Sequence, residues 1–438
     1  MEQTARDILR FVHENDVKFI RLAFCDLFGT LKNISILAEV LPAALERGVA
    51  FDASSVPGFA CEKASDLFLH PDPATLSILP WRPQQGRVVR MFCDIAYPNG
   101  APFEGDARAL LKRSMEHVRA QGYGCRIGPE CEFYLFHTDD AGQPTHIPHD
   151  RAGYLDVAPL DQGENVRREI CLSLEQMGFH PESSHHEQGP GQNEIDFAYS
   201  DPLTAADHVV AFRSVVKAIA SRNGLYASFM PKPLEQSGSG LHINVSLTRQ
   251  GKNLFRNQEE GHCLEAEQFI AGVLHRAPEM TAFLNPTTNS YRRLGTFEAP
   301  AYVTWSHQNR SQLVRIPAAQ GEKVRMELRS ADPSCNPYLA FAVLLQAGLE
   351  GIAQQRPLCP ATDCNLLAGD MQDNRGLIRL PDSLEQALTL ANQSNWVHRT
   401  VPPTLLQAFL NQKWAECRAC SAAEDPRQWE DTHYFWQL

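Results

Sequence analysis

Two glutamates placed two positions apart, Glu130 and Glu132, stand in the segment GPECEFYLF (128–136), whose other residues are typical of a buried strand. Alternate side chains of a strand share one face, so both carboxylates are expected to point the same way. Tyr134 and Phe136 continue that face as apolar residues, which argues against a simple solvent-facing surface. Two carboxylates held side by side in such a strand need a compensating partner.

Three further segments place polar residues in a similar way: SHHEQGPGQNEIDF (184–197), SGSGLHINVSL (237–247) and KVRMELRS (323–330). In the first, a Gly-Pro-Gly turn lets Glu187 and Glu194 return to one place. In each of the other two, apolar and polar residues alternate. The polar face is made of His242, Asn244 and Ser246 in the second segment and of Arg325, Glu327 and Arg329 in the third. The alternation predicts one face toward the core and one toward a shared polar cleft. Any one segment alone fits an ordinary strand with a solvated face equally well.

Together these segments supply a set of ligands suited to hard divalent cations. Carboxylate oxygens are preferred by Mg²⁺ and Mn²⁺, and Mn²⁺ also tolerates an imidazole. The candidate metal ligands are Glu130, Glu132, Glu187, Glu194, His242 and Glu327. Six protein ligands are more than one such ion usually takes, because Mg²⁺ keeps waters and substrate oxygens. The set therefore predicts two ions.

A cationic group follows in the segments NSYRRL (289–294) and NRSQLVRIP (309–317) and in the strand around Glu327. Its members are Arg292, Arg293, Arg310, Arg315, Arg325 and Arg329. Arginines beside a two-metal carboxylate site suit phosphoryl transfer, which depends on positioning and charge neutralisation. Two of the six are expected to be structural. The chain has no Walker A motif and no G-x-G-x-x-G loop, so a nucleotide is not expected to bind in those ways.

The first hundred residues predict a small α+β unit. A helix begins near Thr4, a strand covers 17–26, a turn follows at Gly29, and a second strand lies near 32–36. Proline-rich and glycine-rich stretches place a domain boundary near Phe103, which divides the chain into residues 1–103 and 104–438.

The second unit begins with a helix that Asp106 caps and Gly122 ends, and further helices are expected over 164–177 and 206–220. The strands that carry the chemistry have one polar face, unlike the strands of doubly wound parallel sheets, which are buried on both faces. The expected fold class is therefore α+β.

Composition excludes some partners. The 438-residue chain has a net charge of −12, which argues against nucleic acid or an anionic membrane as the main partner. Its start lacks a basic region followed by an apolar stretch, and no segment is long enough to span a bilayer, so a cytoplasmic protein is expected. Twelve cysteines show no disulfide framework. Cys417 and Cys420 form one C-x-x-C motif, interpreted as reduced, inert thiols.

The segments FDASS, GPECEF, HHEQGPGQNEIDF, GSGLHINVSL, NSYRRL, FEAP, NRSQLVRIP and RMELRSADPSCNPYLA, in this order, resemble the type I glutamine synthetases, in their shorter subdivision. The likeness covers nearly the whole chain. It implies an N-terminal β-grasp domain and a catalytic domain with a curved antiparallel sheet flanked by helices. It also implies a homododecamer of two stacked rings with active sites between neighbouring subunits.

The resemblance implies ATP-dependent ligation of ammonia to glutamate through a γ-glutamyl phosphate, with two Mg²⁺ or Mn²⁺ ions. Glu132, Glu187 and Glu194 correspond to the ligands of the metal on the ammonium side. Glu130, His242 and Glu327 correspond to the ligands of the metal that bridges the ATP phosphates.

The substrate residues are also implied by the resemblance. Arg293, Arg329, Gly238 and Ser237 correspond to glutamate-binding positions. Arg310, Arg315, Arg325 and Ser246 correspond to ATP-binding positions, with Arg310 stabilising the transferring phosphoryl group. Asp52 corresponds to a residue that enters from the adjacent subunit and takes a proton from ammonium, and Glu298 to a flap glutamate that accepts a proton as the amide forms.

Four departures from the family pattern stand out. Ser237 replaces a usual asparagine, and the flap RRLGTFEAP is one residue shorter than usual. Cys61 stands where shorter type I enzymes tend to have an arginine used in feedback inhibition. The adenylylated segment of the family is here NLLAGD (365–370), which has no tyrosine, so no adenylylation is expected there.

Three functions are compatible with these residues. The first is glutamate–ammonia ligation, favoured by Asp52 and Glu298. The second is a γ-glutamylamide ligase that uses methylamine, ethanolamine or a polyamine, which Ser237 and the short flap leave open. The third is a non-catalytic relative, which the complete set of metal ligands and phosphate-binding arginines argues against.

Overall fold

The computed structural model describes residues 4–59, 65–82, 85–256, 262–367 and 376–438. Two β-sheets organise this part of the chain, one within residues 17–96 and one within residues 123–328. The smaller sheet lies in the N-terminal part and the larger one carries the polar segments identified above.

The described residues of the N-terminal part form two α-helices and six strands. They are α1 (Ala5–Glu14), β1 (Val17–Cys25), β2 (Leu31–Leu37), α2 (Leu41–Arg47), β3 (Val49–Asp52), β4 (Asp66–Pro71), β5 (Ser77–Ile78) and β6 (Arg87–Ala96). The sheet order is β2-β1-β6-β4-β3, with β5 paired to β6. β1 and β6 run parallel at the centre and the other pairs are antiparallel, which is a β-grasp arrangement.

Local sequence explains how this part begins. The Thr4 hydroxyl accepts from the Asp7 backbone N–H, and the Asp7 carboxylate accepts from the Thr4 N–H, which forms a capping box. Gly29 turns the chain between β1 and β2 with φ +83°, a conformation that side chains with a Cβ disfavour. The expected helix, turn and strands are all present.

The catalytic part follows. Its strands are β7 (Tyr123–Thr138), β8 (Pro144–Pro148), β9 (Pro181–His186), β10 (Gln192–Phe197), β11 (Leu225–Ser228), β12 (Leu241–Arg249), β13 (Lys252–Asn253), β14 (Trp305–His307), β15 (Val314–Ile316) and β16 (Met326–Leu328). Its helices are α3 (Ala107–Ala120), α4 (Glu164–Gln176), α5 (Pro202–Arg222), α6 (Leu264–Leu284), α7 (Ser290–Arg293), α8 (Pro337–Ala353), α9 (Leu384–Gln393), α10 (Asn395–Thr400), α11 (Pro403–Ala422) and α12 (Pro426–Glu430).

The large sheet has the order β14-β15-β16-β12-β7-β10-β9, with β8 and β11 also paired to β7 and β13 to β12. Its named pairs are antiparallel except β14 with β15. The sheet is curled and mixed rather than purely antiparallel, and the strands that carry the polar segments pair antiparallel as expected. The α+β class is confirmed.

The two faces of β7 show how alternation divides the sheet. Cys131, Phe133 and Leu135 are fully buried in the main hydrophobic core, together with residues of α3, α4, α5, α6 and α8. Tyr134 and Phe136 belong to a separate small cluster with Met230, Tyr434 and Phe435. One face therefore meets the helices, and the face of Glu130 is closed at its far end by aromatic residues.

Helix boundaries follow local capping. The Asp106 carboxylate accepts from the Arg108 N–H and starts α3 as expected. α5 begins at Pro202, four residues before the expected start, because Asp201 accepts from the N–H groups of Leu203 and Thr204. The pattern-based prediction missed this cap.

A charged cluster joins the two parts of the chain. Arg108 donates to Asp72 at 2.9 Å, to Asp94 at 2.6 Å and to Asp207 at 3.0 Å, and Lys112 also binds Asp94 at 2.6 Å. We call these five residues the Arg108 cluster. Phe103 packs in the N-terminal core, and the domain boundary placed there stays a prediction.

No helix within the described residues is both long and apolar enough to cross a bilayer. The thiols of Cys417 and Cys420 are buried, and burial raises the pKa of Cys417 to about 12 and also raises that of Cys420. Neither thiol is therefore ionised near neutral pH.

Candidate active site

All of the predicted site residues except Asp52 and Ser246 line one cavity on the polar face of the large sheet. They come from β7, β10, β12, β15, β16, α7 and the loops beside them. The residues brought together are Glu130, Glu132, Glu187, Glu194, Ser237, Gly238, His242, Arg293, Glu298, Arg310, Arg315, Arg325, Glu327 and Arg329.

Strand register explains why the ligands meet. Glu130 on β7 lies opposite His242 on β12, and Glu132 lies opposite Glu194 on β10. Glu327 on β16 lies opposite Asn244, two positions from His242 on the same face. Directly opposed side chains have Cβ atoms about 4.5–5.5 Å apart, so alternation along three strands concentrates the acids in one place.

Glu130, His242 and Glu327 form the first candidate metal group, with ligand atoms all within 4.8 Å of one another. His242 Nδ1 lies 3.4 Å from a Glu130 carboxylate oxygen and 3.7 Å from a Glu327 oxygen. Arg315 donates to Glu327 at 2.7 Å, and Arg329 donates to its other oxygen. Burial disfavours ionised Glu327, but Arg329, His242 and Arg315 outweigh it and lower the pKa of this carboxyl.

The second group is arranged around Glu194. Glu132, Glu194 and His242 have ligand atoms within 4.8 Å, and so do His185, Glu187 and Glu194. His185 Nε2 lies 3.4 Å from Glu194 and its Nδ1 lies 3.6 Å from Glu187. The three predicted glutamates are thus adjacent, with one histidine on either side of them.

We call Glu130, Glu132, Glu187, Glu194, Asp196 and Glu327 the carboxylate cluster. Burial and then the neighbouring Glu187 raise the pKa of Glu132 to about 8. Burial and then Glu132 raise the pKa of Glu194 well above its ordinary value, and burial with Glu130 raises that of Asp196 to about 7. Acids that hinder one another's ionisation in this way fit a site completed by hard divalent cations.

Hydrogen bonds fix the orientation of these acids. One oxygen of Glu132 accepts from Gln192 Nε2 at 2.9 Å and from the Gly240 N–H at 2.8 Å. Glu130 accepts from Asn244 Nδ2 at 2.8 Å, and Asn244 in turn accepts from Arg325 Nε at 3.0 Å. The carboxylates are therefore held in place by partners outside the metal groups.

Arginines line the same cavity as the acids. Arg293 is buried and donates to the backbone oxygens of Ser330 at 2.8 Å and Arg329 at 3.2 Å. Gly238 and Gly240 make room for it, since a Cβ on Gly238 would lie 2.9 Å from Arg293 Cγ and one on Gly240 2.7 Å from its Nη2. Glycine is therefore required at both positions, because a side chain there would collide with Arg293.

The flap, residues 294–301, covers the cavity. Glu298 reaches Arg310 at 3.4 Å and Arg329 at 3.6 Å, and its other oxygen accepts from Gln188 Nε2 at 3.1 Å. Phe297, at φ +52°, is about half exposed and faces Lys232, whose Nζ lies 4.4 Å from the ring centre. The predicted flap glutamate therefore lies over the site despite the shorter flap.

Two predicted residues lie elsewhere in this single chain. Asp52 is exposed at the end of β3 and accepts from the Ser54 N–H at 2.9 Å. Ser246 continues the polar face of β12 beyond the cavity, opposite Arg126 on β7. Arg292 also lies outside the cavity and binds Glu430 at 2.6 Å, so it is one of the structural arginines. Cys61 and residues 368–370 of the NLLAGD segment fall outside the described residues.

Sequence reasoning missed nine residues that line the cavity, among them Tyr154, His185, Gln188 and Asp196. Asp196 was accessible to it, because it lies two positions from Glu194 on the same face of β10. His185 lies two positions from Glu187, but Glu187 follows the end of β9, so alternation alone does not relate the two. Tyr154 and Gln188 lie in loops, where no periodicity indicates direction.

The β-grasp domain, the curled sheet, the paired carboxylate groups and the arginines beside them are together typical of a metal-dependent enzyme that binds anionic substrates. The comparison with protein families agrees. The glutamine synthetase β-grasp domain matches residues 16–98, and the glutamine synthetase catalytic domain matches residues 104–434. The chain belongs to the glutamine synthetase family, and it is an enzyme of the glutamate–ammonia ligase type.

Similar proteins include three glutamine synthetases. That of Clostridium saccharobutylicum is 47% identical over 94% of this chain and 95% of its own length. That of Methanosarcina mazei is 45% identical over 99% of this chain and 98% of its own. That of Staphylococcus aureus is 43% identical over 94% of each chain.

Solved structures with the same architecture include a GmaS/ADP complex and apo GmaS without ligand. Each superposes with a TM-score of 0.87 at 29% identity, and the match covers 99% of both chains.

Proposed function

We propose that this protein joins ammonia to the γ-carboxylate of L-glutamate in an ATP-dependent reaction that passes through γ-glutamyl phosphate and gives glutamine, ADP and phosphate. The observation that carries the proposal is the group of Glu130, His242 and Glu327 within 4.8 Å, faced by Arg315 and Arg329. A phosphate-side metal group beside guanidinium groups is what transfer of a phosphoryl group to a carboxylate needs.

The metal roles are assigned as follows. Glu130, His242 and Glu327 would hold one ion, and Glu132, Glu187 and Glu194 the other. Two Mg²⁺ or Mn²⁺ ions would neutralise the phosphate charge and order the substrate oxygens. The raised pKa of Glu132 and of Glu194 supports this assignment, because both acids need an added cation to ionise together.

The substrate roles are proposed for residues of the same cavity and for Ser246 beyond it. Arg293 and Arg329 would bind the two carboxylates of glutamate, with Gly238 and Ser237 lining the amino-acid side. Arg310 and Arg315 would bind the ATP phosphates, and Arg310 would stabilise the transferring group. Arg325 and Ser246 would lie beside the nucleotide. Asn244 connects Arg325 to Glu130, which supports a link between the nucleotide side and the metal group.

Two acids would handle the protons. Glu298, held over the cavity by Arg310 and Arg329, would accept a proton as nitrogen attacks the acyl carbon and phosphate leaves. Asp52 would take a proton from ammonium across a subunit contact, since it lies outside the cavity of its own chain. A homododecamer with shared sites and a cytoplasmic location complete the proposal.

A second candidate function is a γ-glutamylamide ligase that accepts a primary amine. Ser237 lines the cavity where the family usually has a larger amide side chain, and the structural likeness to GmaS also favours this alternative. The two functions share every step up to the attacking nitrogen, so the acceptor distinguishes them.

The test is phosphate release by the purified protein with ATP, glutamate and Mg²⁺ or Mn²⁺ across ammonium, methylamine, ethanolamine and putrescine, with the product identified by mass. The highest kcat/KM with ammonium supports glutamine synthesis. A clear preference for an alkylamine supports the second function, and no amide with any acceptor contradicts both.

A further inference from the structure

The turn that carries the metal ligand Glu187 also contacts the flap. Gln188 Nε2 donates to Glu298 Oε1 at 3.1 Å, and the Gln188 backbone N–H donates to Glu187 Oε2 at 3.0 Å. One residue therefore connects a candidate ligand of the second metal group to the acid of the flap, across 110 positions of sequence.

The other partners of Glu298 differ from Gln188. Arg310 and Arg329 approach the second oxygen, Oε2, at 3.4 and 3.6 Å, and in the proposed function both arginines also bind substrate. Gln188 has the shortest of these contacts, is neutral, and has no part in the proposed binding of ATP or glutamate. It is therefore the partner of Glu298 whose hydrogen bond is independent of the substrates.

The flap has few other attachments at its tip. Glu298 is 39% exposed at its side chain and Phe297 is about half exposed, and the ring of Phe297 contacts the buried Lys232. Within the flap, the Gly295 N–H donates to the Ala299 oxygen at 3.1 Å and the Ala299 N–H to the Thr296 oxygen at 3.1 Å. These two bonds shape the flap itself. Its ends are attached to the rest of the chain, because Thr296 donates to the Arg293 oxygen from its Oγ1 at 2.7 Å and the Ala301 oxygen accepts from the Leu380 N–H at 2.8 Å.

We propose that Gln188 is a positioning residue that holds the flap closed through Glu298 and thereby decides whether the amine or water reacts with the activated glutamate. This inference rests on the proposed function. In γ-glutamyl phosphate the acyl carbon can be attacked by the amine, which forms a C–N bond, releases phosphate with the bonding electron pair and passes a proton to Glu298. Water attacking the same carbon regenerates glutamate and phosphate, so ATP is consumed without amide.

The consequence is a defined kinetic signature. When the flap opens, water reaches the acyl phosphate and phosphate is released without an equivalent of amide. Because water and amine compete for one intermediate, a high amine concentration restores the ratio. A general folding defect lowers both products together and leaves the ratio unchanged.

The experiment compares the wild type with Gln188→Met, which keeps the chain length without the donor, and Gln188→Glu, which places a second carboxylate beside Glu298. Gln407→Met is the matched control, since Gln407 is an exposed glutamine on α11 that donates to Asn411 at 2.8 Å. Phosphate and amide are measured in the same reactions at saturating ATP and glutamate, with the best acceptor at concentrations below and above its KM.

We expect the phosphate-to-amide ratio of Gln188→Met to rise about fivefold at low amine, the equilibrium factor for losing one ordinary hydrogen bond. The ratio should rise further in Gln188→Glu, because the new carboxylate repels that of Glu298. The KM for the amine should increase while those for ATP and glutamate stay unchanged, and Gln407→Met should match the wild type. A wild-type ratio in both Gln188 variants would overturn the proposal.

Hydrogen–deuterium exchange tests the same proposal without turnover. The peptide over residues 294–301 should exchange about fivefold faster in Gln188→Met, whereas a peptide within α11 should be unchanged. Equal exchange of the flap in the two proteins would overturn the proposal. A wild type that makes no amide but whose flap loosens in the variant would contradict the proposed function and still support the Gln188 contact.

Discussion

The carboxylate cluster and the Arg108 cluster both collect acids from distant parts of the chain, but they differ in how the negative charge of those acids is compensated. In the Arg108 cluster three aspartates share Arg108 and Lys112 at distances of 2.6–3.0 Å. In the carboxylate cluster six acids lie together, and guanidinium groups bind Glu327 alone among them.

Their pKa values express the difference. Burial opposes ionisation of Asp94, but Arg108 and Lys112 outweigh it and lower the pKa of this acid, while the pKa of Arg108 is raised by Asp207 against the effect of burial. In the carboxylate cluster the pKa of Glu132 rises to about 8 and that of Glu194 also rises. The acids of the Arg108 cluster are neutralised by cations of the chain itself and connect its two parts, whereas the unneutralised acids of the carboxylate cluster form the candidate site for added cations.

The strongest test of this contrast is Glu327→Gln, which removes the charge of a candidate ligand and keeps its volume. We expect ATP turnover to fall by about 10²–10³-fold, because the phosphate side of the site loses a preorganised charge. Transfer of the γ-phosphoryl group is measured directly. Glu265→Gln, in an exposed pair with Arg249 at 2.7 Å, should keep wild-type activity. Near-normal transfer in Glu327→Gln would refute the assignment of this ligand.

Arg108→Met tests the opposite cluster. The substitution leaves buried Asp207 without its cation and should lower the free energy of unfolding by about 3–5 kcal/mol. Urea denaturation of the metal-free protein measures this change. Arg10→Met breaks an exposed pair with Asp7 and should leave the free energy of unfolding nearly unchanged, because solvent screens this pair. Equal losses in the two variants would contradict a structural role for the Arg108 cluster.

A divalent cation should stabilise the protein through the carboxylate cluster and not through the Arg108 cluster. Mn²⁺ or Mg²⁺ at 100 times its Kd should stabilise the native protein by about 2.7 kcal/mol, and a chelator should reverse this gain. Thermal unfolding with and without the ion provides the measurement. Asp94→Asn should keep the full gain, whereas Glu132→Gln should lose a large part of it. If Asp94→Asn instead of Glu132→Gln lost the stabilisation by the ion, the cation would bind at the Arg108 cluster and the proposed metal site would be contradicted.

The smallest expected effect is the pH dependence of the Arg108 cluster. The folded-state pKa of Asp94 is lowered from 3.8, so its stabilisation is present above pH 3.8 and is lost as the pH falls through the lower folded value. Asp94 is partly exposed, and its contribution is expected to be about 1 kcal/mol or less. The difference in unfolding free energy between wild type and Asp94→Asn, measured from neutral pH to pH 3, should shrink on the acid side; a constant difference would contradict this.

The sequence alone determined the parts of the site that depend on strand alternation. Glu130, Glu132, His242 and Glu327 share a sheet face because side chains alternate along each strand, a rule that needs only local conformation. Capping residues such as Thr4 and Asp106 likewise fixed helix starts, since a cap acts within one turn. The α+β class was predictable from the same alternation, whereas the β-grasp domain and the large sheet were expected from the family resemblance.

Tertiary structure decided what depends on contacts between distant segments. Arg292 and Arg293 are neighbours in α7, and only the packing of α12 directs one to Glu430 and leaves the other in the cavity. Gln188 and Glu298 meet across 110 positions, and Asp52 lies away from the cavity of its own chain. The periodicity of a sequence cannot predict such contacts. It indicates the face on which a side chain lies, but not which distant segment packs against that face.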